Sequence, residues 1–344
     1  MSVRGSEPAA GAGDRPALRH GGRLAWARAA FPDAPQPWLD LSTGVNPTPW
    51  RGERARLDDL RRLPDPDAVA ALEAVAARAF GLAPEAVAAV PGAEAGLRLL
   101  PRLLGARRVA VASPTYGGHG EAWTAAGAEV VAIGRGAIAG AAAEAVVLVN
   151  PNNPDGAASP RGEVLDAARR LEAKGAWLIV DESFVEARPE LSVSAHAGGR
   201  LVALRSFGKF YGLPGVRLGF VLADPALAAR VRAALGDWPL CADALALGAG
   251  AYADPAWAER TRGRLARAAS RLDGLLSASG FQVVGGTSLF RLARAAHAGV
   301  RFRRLAAQGV LTRPFDHDPE LIRLGLPGPR FWPRLQTALE GSRP

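Results

Sequence analysis

Short, almost solid apolar runs recur through the middle of the chain, at residues 109–112, 129–133, 145–149, 176–180 and 201–204. Runs this short, without alternation, predict strands buried on both faces. A similar apolar segment, 87–90, precedes the turn Pro91-Gly92-Ala93-Glu94-Ala95-Gly96, and another covers 217–222. Between the runs, apolar residues fall at helical spacing. Residues 68–80 place Leu72, Val75 and Ala79 on one face, with Asp65 or Asp67 as cap and Gly81 as stop. Further helices are predicted from the glycine-rich turn to about 104, over 118–126 and over 161–173. Strands that alternate with helices predict an α/β domain with a mostly parallel sheet.

The texture changes after Asp224. Helical patterns cover 225–235, 242–251 and 255–278, then short strands at 281–284 and 288–292. A helix over 299–308, strands at 310–313 and 321–325 and a last helix complete a smaller α+β domain. At the other end, a helical pattern at 24–30 precedes a strand at 38–42 that enters the loop Thr43-Gly44-Val45-Asn46-Pro47-Thr48-Pro49. The expected organisation is a mobile tail (1–17), a segment joining the small domain (18–50), a large domain (51–235) and a small C-terminal domain (236–344).

Composition narrows the classes. Hydrophobic residues make up 49% and charged residues 22% of the 344 positions, a globular balance with room for two domains. The candidate membrane run, 137–149, is short and carries Glu144. Residues 1–16 lack the apolar core of a secretion signal. The single cysteine, Cys241, excludes an intrachain disulfide and suits a reducing, cytoplasmic compartment. A net charge of +9 raises the question of nucleic acid. The arginines, however, are dispersed. Arg260, Arg262, Arg264, Arg267 and Arg271 stand at helical spacing beside apolar residues, as on a solvated helix face. Neither a nucleic-acid nor a membrane partner is expected. The five histidines show no ligand spacing, so no metal is expected.

One charge breaks the compositional habit. Lysine and arginine total 42, yet only Lys174 and Lys209 are lysines. Arginine replaces lysine as a surface charge but cannot lose its proton to become a nucleophilic amine. Schiff-base chemistry forbids the exchange, and Lys209 sits in a glycine-rich turn after an apolar run. The ends of the other predicted strands carry Ser113-Pro114-Thr115-Tyr116, Asn150-Pro151-Asn152-Asn153-Pro154 and Asp181-Glu182-Ser183-Phe184. Ligands of parallel sheets collect at such ends. The set offers an amine, a carboxylate for a ring nitrogen, an amide, a flat aromatic ring and anion donors at Arg217, Ser206 and the Gly92 loop. Those are the groups that pyridoxal phosphate requires.

Ser206-x-x-Lys209 with Arg217 eight residues on, after Gly92-Ala93-Glu94, Tyr116, Asn150-Pro151-x-Asn153-Pro154-x-Gly156 and Asp181, resembles the fold type I pyridoxal-phosphate enzymes of the class I/II aminotransferase superfamily. The resemblance covers nearly the whole chain after the tail. It implies an α/β transferase fold, a large domain with a mostly parallel central sheet plus a smaller α+β domain. It implies pyridoxal 5'-phosphate as cofactor, with Lys209 as its Schiff-base lysine. Ser206, Arg217 and Gly92-Ala93-Glu94 would hold its phosphate, Tyr116 would stack on its ring, Asn153 would meet the ring oxygen and Asp181 the pyridine nitrogen. Lys209, Asp181 and Tyr116 form the implied catalytic set. Arg323, in Leu321-Ile322-Arg323-Leu324-Gly325, is similar to the family's substrate-carboxylate arginine.

Within the superfamily the chain most resembles threonine-phosphate decarboxylases of cobalamin biosynthesis, then histidinol-phosphate aminotransferases. His20-Gly21-Gly22 and Leu41-Ser42-Thr43-Gly44-Val45-Asn46-Pro47 carry that preference, as does Phe184 where many aminotransferases have tyrosine. The implied reaction is decarboxylation of L-threonine O-3-phosphate to (R)-1-amino-2-propanol O-2-phosphate. The implied substrate set is His20, Gly21, Gly22, Asn46, Asn153, Arg313 and Arg323, and the implied assembly is a homodimer. Two positions depart from the family. Leu63 stands where a tyrosine commonly reaches the partner subunit's cofactor phosphate, and Gly208 stands where serine or threonine often precedes the lysine. Two other readings stay open: an aminotransferase of a phosphorylated amino compound, and a non-catalytic binding partner in the corrin pathway.

Overall fold

A computed structural model describes residues 20–343; the tail expected at 1–17 lies outside the described residues. The first strand, β1 (Leu39–Asp40), belongs to the C-terminal half of the molecule, where it pairs later in the chain. Seven strands form the central sheet: β2 (Val87–Val90), β3 (Arg108–Ala112), β4 (Glu129–Ile133), β5 (Ala145–Val149), β6 (Trp177–Asp181), β7 (Leu201–Ser206) and β8 (Gly219–Leu222), in the spatial order β2-β8-β7-β6-β5-β3-β4. The run from β4 to β7 is parallel. Every residue of β2, β5 and β8 is buried, which is why these strands read as solid apolar runs rather than alternating ones.

β8 runs antiparallel to both neighbours, β2 and β7. Periodicity does not encode strand direction, and the length of the connection only favours one. The segment 207–218 between β7 and β8 is at the lower limit of the helical crossover that parallel neighbours need. The chain turns back instead through the short helix Phe207–Phe210 and the turn Pro214–Val216. Lys209 is held in that reversal.

The C-terminal half contains β9 (Gln282–Thr287), β10 (Phe290–Arg294), β11 (Val310–Leu311), β12 (Arg313–Pro314) and β13 (Leu321–Gly325). Four of these make an antiparallel sheet, β12-β13-β10-β9, and β11 pairs in parallel with β1. Gly325 N donates to Leu41 O at 2.6 Å. A Cβ at Gly325 would lie 2.3 Å from Thr43 O, so a bare glycine lets this backbone close on β13. The N-terminal segment is thereby laid beside the C-terminal sheet, facing the carboxyl ends of the large sheet.

The helix Pro66–Phe80 is capped by Asp65, whose carboxylate accepts from Asp67 N, and it stops at left-handed Gly81. The apolar stretch at 137–149 divides into a 3₁₀ turn, Arg135–Gly140, and β5. Among the described residues no helix is long and apolar enough to cross a membrane. The arginines of Pro255–Ala278 correct the expectation of a solvated face in part. Arg260, Arg267 and Arg271 are exposed, but Arg262 and Arg264 are half-buried. Arg262 Nε donates to Glu186 O, and its guanidinium lies 5.8 Å from the Phe210 ring centre. Long stems let arginine cover apolar surface from a helix flank.

Candidate active site

The carboxyl ends of β2, β3, β5, β6 and β7 open into one cavity of about 610 Å³, closed from the other side by the N-terminal segment, β12 and β13. Lys209 lies in its wall. Its helix is pinned by buried Phe207 and Phe210. Gly208 has no room for a side chain, since a Cβ would sit 2.6 Å from Pro214 Cα; the departure at this position therefore follows from the tight turn. Lys209 Nζ is 5.8 Å from the centre of the Phe184 ring. Burial, then the Arg323 charge, push the amine down to about 8, with Arg217 and Arg313 adding to this and Asp181 opposing it. An amine so depressed is partly neutral near neutral pH, as a nucleophile requires.

Asp181 ends β6 and is 5% exposed. Its Oδ2 lies 2.9 Å from His119 Nε2, and its Oδ1 accepts from Ser183 N at 2.8 Å. Burial alone would push this carboxyl up. His119 and Ser183 outweigh it and hold Asp181 below the ordinary carboxylate range. His119, 2% exposed, was not foreseen from the sequence. The available signal was a lone histidine among Gly117, Gly118 and Gly120 at a predicted helix start, which periodicity cannot distinguish from a structural residue.

Two groups of cations divide the cavity. The first faces the start of the helix Ala93–Leu104, where free backbone N–H groups favour an anion. Gly92 has φ +86°, and a Cβ there would lie 2.5 Å from a terminal nitrogen of Arg217. Glycine thus keeps open a cradle between the helix start, Ser206 and Arg217. The cradle, the amine, the buried carboxylate and the flat Tyr116 ring fit pyridoxal phosphate.

The second group lies across the cavity. Arg313 on β12 and Arg323 on β13 are register partners, an arrangement that is destabilising for like charges unless something negative joins them. Arg323 donates to Asn153 Oδ1 at 2.5 Å and to Ser42 O at 2.8 Å. No carboxylate pairs with it among the described residues. Burial, then Arg313, lower its affinity for its proton. His20 and Gly21 complete this side, with the His20 ring 5.8 Å from that of Tyr116.

The structure therefore brings together Lys209, Asp181 and Tyr116 with Gly92, Ala93, Glu94, Asn153, Ser206 and Arg217, and with His20, Gly21, Arg313 and Arg323. Two expected residues do not line the cavity. Asn46 is 2% exposed, its amide donating to Phe210 O and its Oδ1 accepting from Thr48 N. It braces the lysine turn rather than reaching a ligand. The Gly22 amide donates to Ser42 Oγ, which in turn donates to Asp40, so Gly22 fixes the bend that carries Gly21 inward. Thr43, Ser183 and Arg98 line the cavity without having been foreseen.

Residues 36–329 match the family described as aminotransferase class I and II. The chain is 39% identical over 313 residues to a threonine-phosphate decarboxylase of Sinorhizobium sp, covering 89% of this chain and 92% of the relative. It is 37% identical over 330 residues to a threonine-phosphate decarboxylase of Pseudomonas aeruginosa, covering 95% and 98%. Among solved structures it is similar to the histidinol-phosphate aminotransferase of Sinorhizobium meliloti in complex with pyridoxal-5'-phosphate. That match has a TM-score of 0.75 and 22% identity over 83% of each chain, a likeness of fold.

Proposed function

Because the chain belongs to the aminotransferase class I and II family, we propose that it is a pyridoxal-phosphate enzyme that decarboxylates L-threonine O-3-phosphate to (R)-1-amino-2-propanol O-2-phosphate. The observation that carries the substrate is buried Arg323, which lines the lysine's cavity beside its register partner Arg313 and is held by two neutral acceptors, with no carboxylate on it among the described residues. Similarity to two threonine-phosphate decarboxylases over most of their length supports the same reading.

When bound, the cofactor supplies an aldehyde for an amine and a protonated ring that accepts the electron pair left by a departing carboxylate. The residues of the chain determine where that happens. The helix start at Ala93 and Glu94, Ser206 and Arg217 bind one phosphate. Asp181, kept ionised by His119 and Ser183, holds a proton at the ring nitrogen facing it. Tyr116 offers a flat face, and Asn153 a polar contact at the ring oxygen. Arg323 takes the substrate carboxylate, while Arg313, His20 and Gly21 take the substrate phosphate. Two separate anion grips would fix the substrate at both ends, and a carboxylate so held could be set perpendicular to a bound ring, where its bond would overlap the π system. Lys209 Nζ then delivers a proton to the α-carbon.

The large, small and N-terminal divisions at 51–235, 236–344 and 18–50 belong to the same proposal; the pairing of β1 with β11 supports the last. So do a cytoplasmic location, suited to the free Cys241, and a homodimer. Leu57, Leu60 and Leu63 are exposed apolar residues in a part of the chain that a second copy would cover. The test of function is incubation with L-threonine O-3-phosphate alone. Carbon dioxide release without an oxo-acid acceptor is expected. Turnover that requires an acceptor, with no gas, would establish the aminotransferase instead.

A further inference from the structure

Tyr116 is held by a residue that looks misplaced. Glu94 stands in the first turn of Ala93–Leu104, at the helix end that attracts anions. A carboxylate there competes with the phosphate for the same positive potential. Its Oε1 accepts from Arg98 Nε at 2.6 Å, one turn along the helix, which offsets that competition. Its Oε2 accepts from Tyr116 Oη at 3.2 Å. On the other side, the ring rests on bare backbone, since a Cβ at Gly118 would lie 2.4 Å from Tyr116 Cε1. The aromatic wall of the cavity is thus fixed at its hydroxyl and at its edge.

We propose that Glu94 is a positioning residue: its carboxylate, balanced by Arg98, tethers the Tyr116 hydroxyl and so sets the tilt of the ring that packs on bound pyridoxal phosphate. The inference rests on the cofactor reading of the site. Burial and then the Glu94 charge push the Tyr116 phenol up to about 12, which keeps the hydroxyl a donor throughout the working pH range.

The test is a double-variant cycle on cofactor affinity, with apo protein titrated by pyridoxal phosphate and followed by tryptophan fluorescence quenching. Glu94→Ala and Tyr116→Phe each remove one end of the tether, and each weakens binding about tenfold, as expected for a hydrogen bond to a charged group. The double variant is no weaker than either single one. Glu94→Gln retains an acceptor and stays within about threefold of the parent. A double variant near a hundredfold, singles within twofold, or a Gln variant as weak as the Ala variant would overturn the inference. Glu94→Gln and Tyr116→Phe preserve shape, so the comparison survives even where Glu94→Ala does not fold. A parent protein that shows no saturable quenching would overturn the cofactor reading itself, an outcome distinct from an additive cycle.

Discussion

Arg205 and Arg323 are nearly equal in burial, at 5% and 4% exposed, and each lies over a phenylalanine ring, Phe80 and Phe290. Their surroundings differ in one respect. Arg205 pairs with Glu182 and Glu186 and also donates to Ser192 and Ser194; despite burial, those acids raise its affinity for its proton. Arg323 has two neutral acceptors and a second arginine across the strand pair. A buried charge is costly unless it is compensated. Arg205 is compensated within the chain and belongs to its framework. Arg323 has no such acid among the described residues, the state in which the proposed anion grip would leave it until an anion enters.

The largest effect expected from this contrast is on stability. Arg205→Met strands Glu182 and Glu186 without a cation and is expected to destabilise the fold by about 4 kcal/mol, read by urea unfolding. The kcat/KM of the protein that remains folded is expected to change little. Arg323→Met does the reverse. It lowers kcat/KM for the phosphorylated amino acid roughly a hundredfold, or about 3 kcal/mol, while apo stability holds or rises. A destabilised Arg323→Met variant would show that Asn153 and Ser42 already satisfy that arginine.

Lys209 extends the contrast to pH. Its folded-state pKa, about 8, lies below the ordinary lysine value. Between pH 8 and about 10.5 the unfolded chain therefore binds more protons than the folded one, and stability rises with pH. The cost is present in full below pH 8. Lys209→Met removes it, so the variant is expected to gain roughly 3 kcal/mol over the apo parent at pH 7. That gain disappears by about pH 10.5, as unfolding across pH would show. The smallest effect concerns His119. His119→Gln removes the hydrogen bond that helps to hold the Asp181 carboxyl down, and the acid limb of the kcat profile is expected to move up. An unmoved limb would mean that Ser183 and the surrounding dipoles hold Asp181 ionised alone.

Much of this site was legible because strand ends are legible. The runs at 129–133, 145–149 and 321–325 correspond to β4, β5 and β13 residue for residue, and polar residues just beyond such runs were assigned to a site by topology alone. What stayed hidden depended on where a side chain turns. Asn46 sits in a loop as polar as any binding loop, yet its amide folds inward to Phe210 O. His119 reaches Asp181 from a different strand end, a contact with no local spacing. Arg205 ends one apolar run and Arg323 interrupts another. Only Glu182 and Glu186, brought near by β6 and the turn after it, separate their roles.

The proposed grips of Arg323 and Arg313 would decide which bond of the substrate breaks. L-Threonine O-3-phosphate turned over in deuterium oxide, without any oxo acid, is predicted to give one carbon dioxide per amine and one deuterium at the amine-bearing carbon. An oxo-acid product, or amine formed without carbon dioxide, would contradict it.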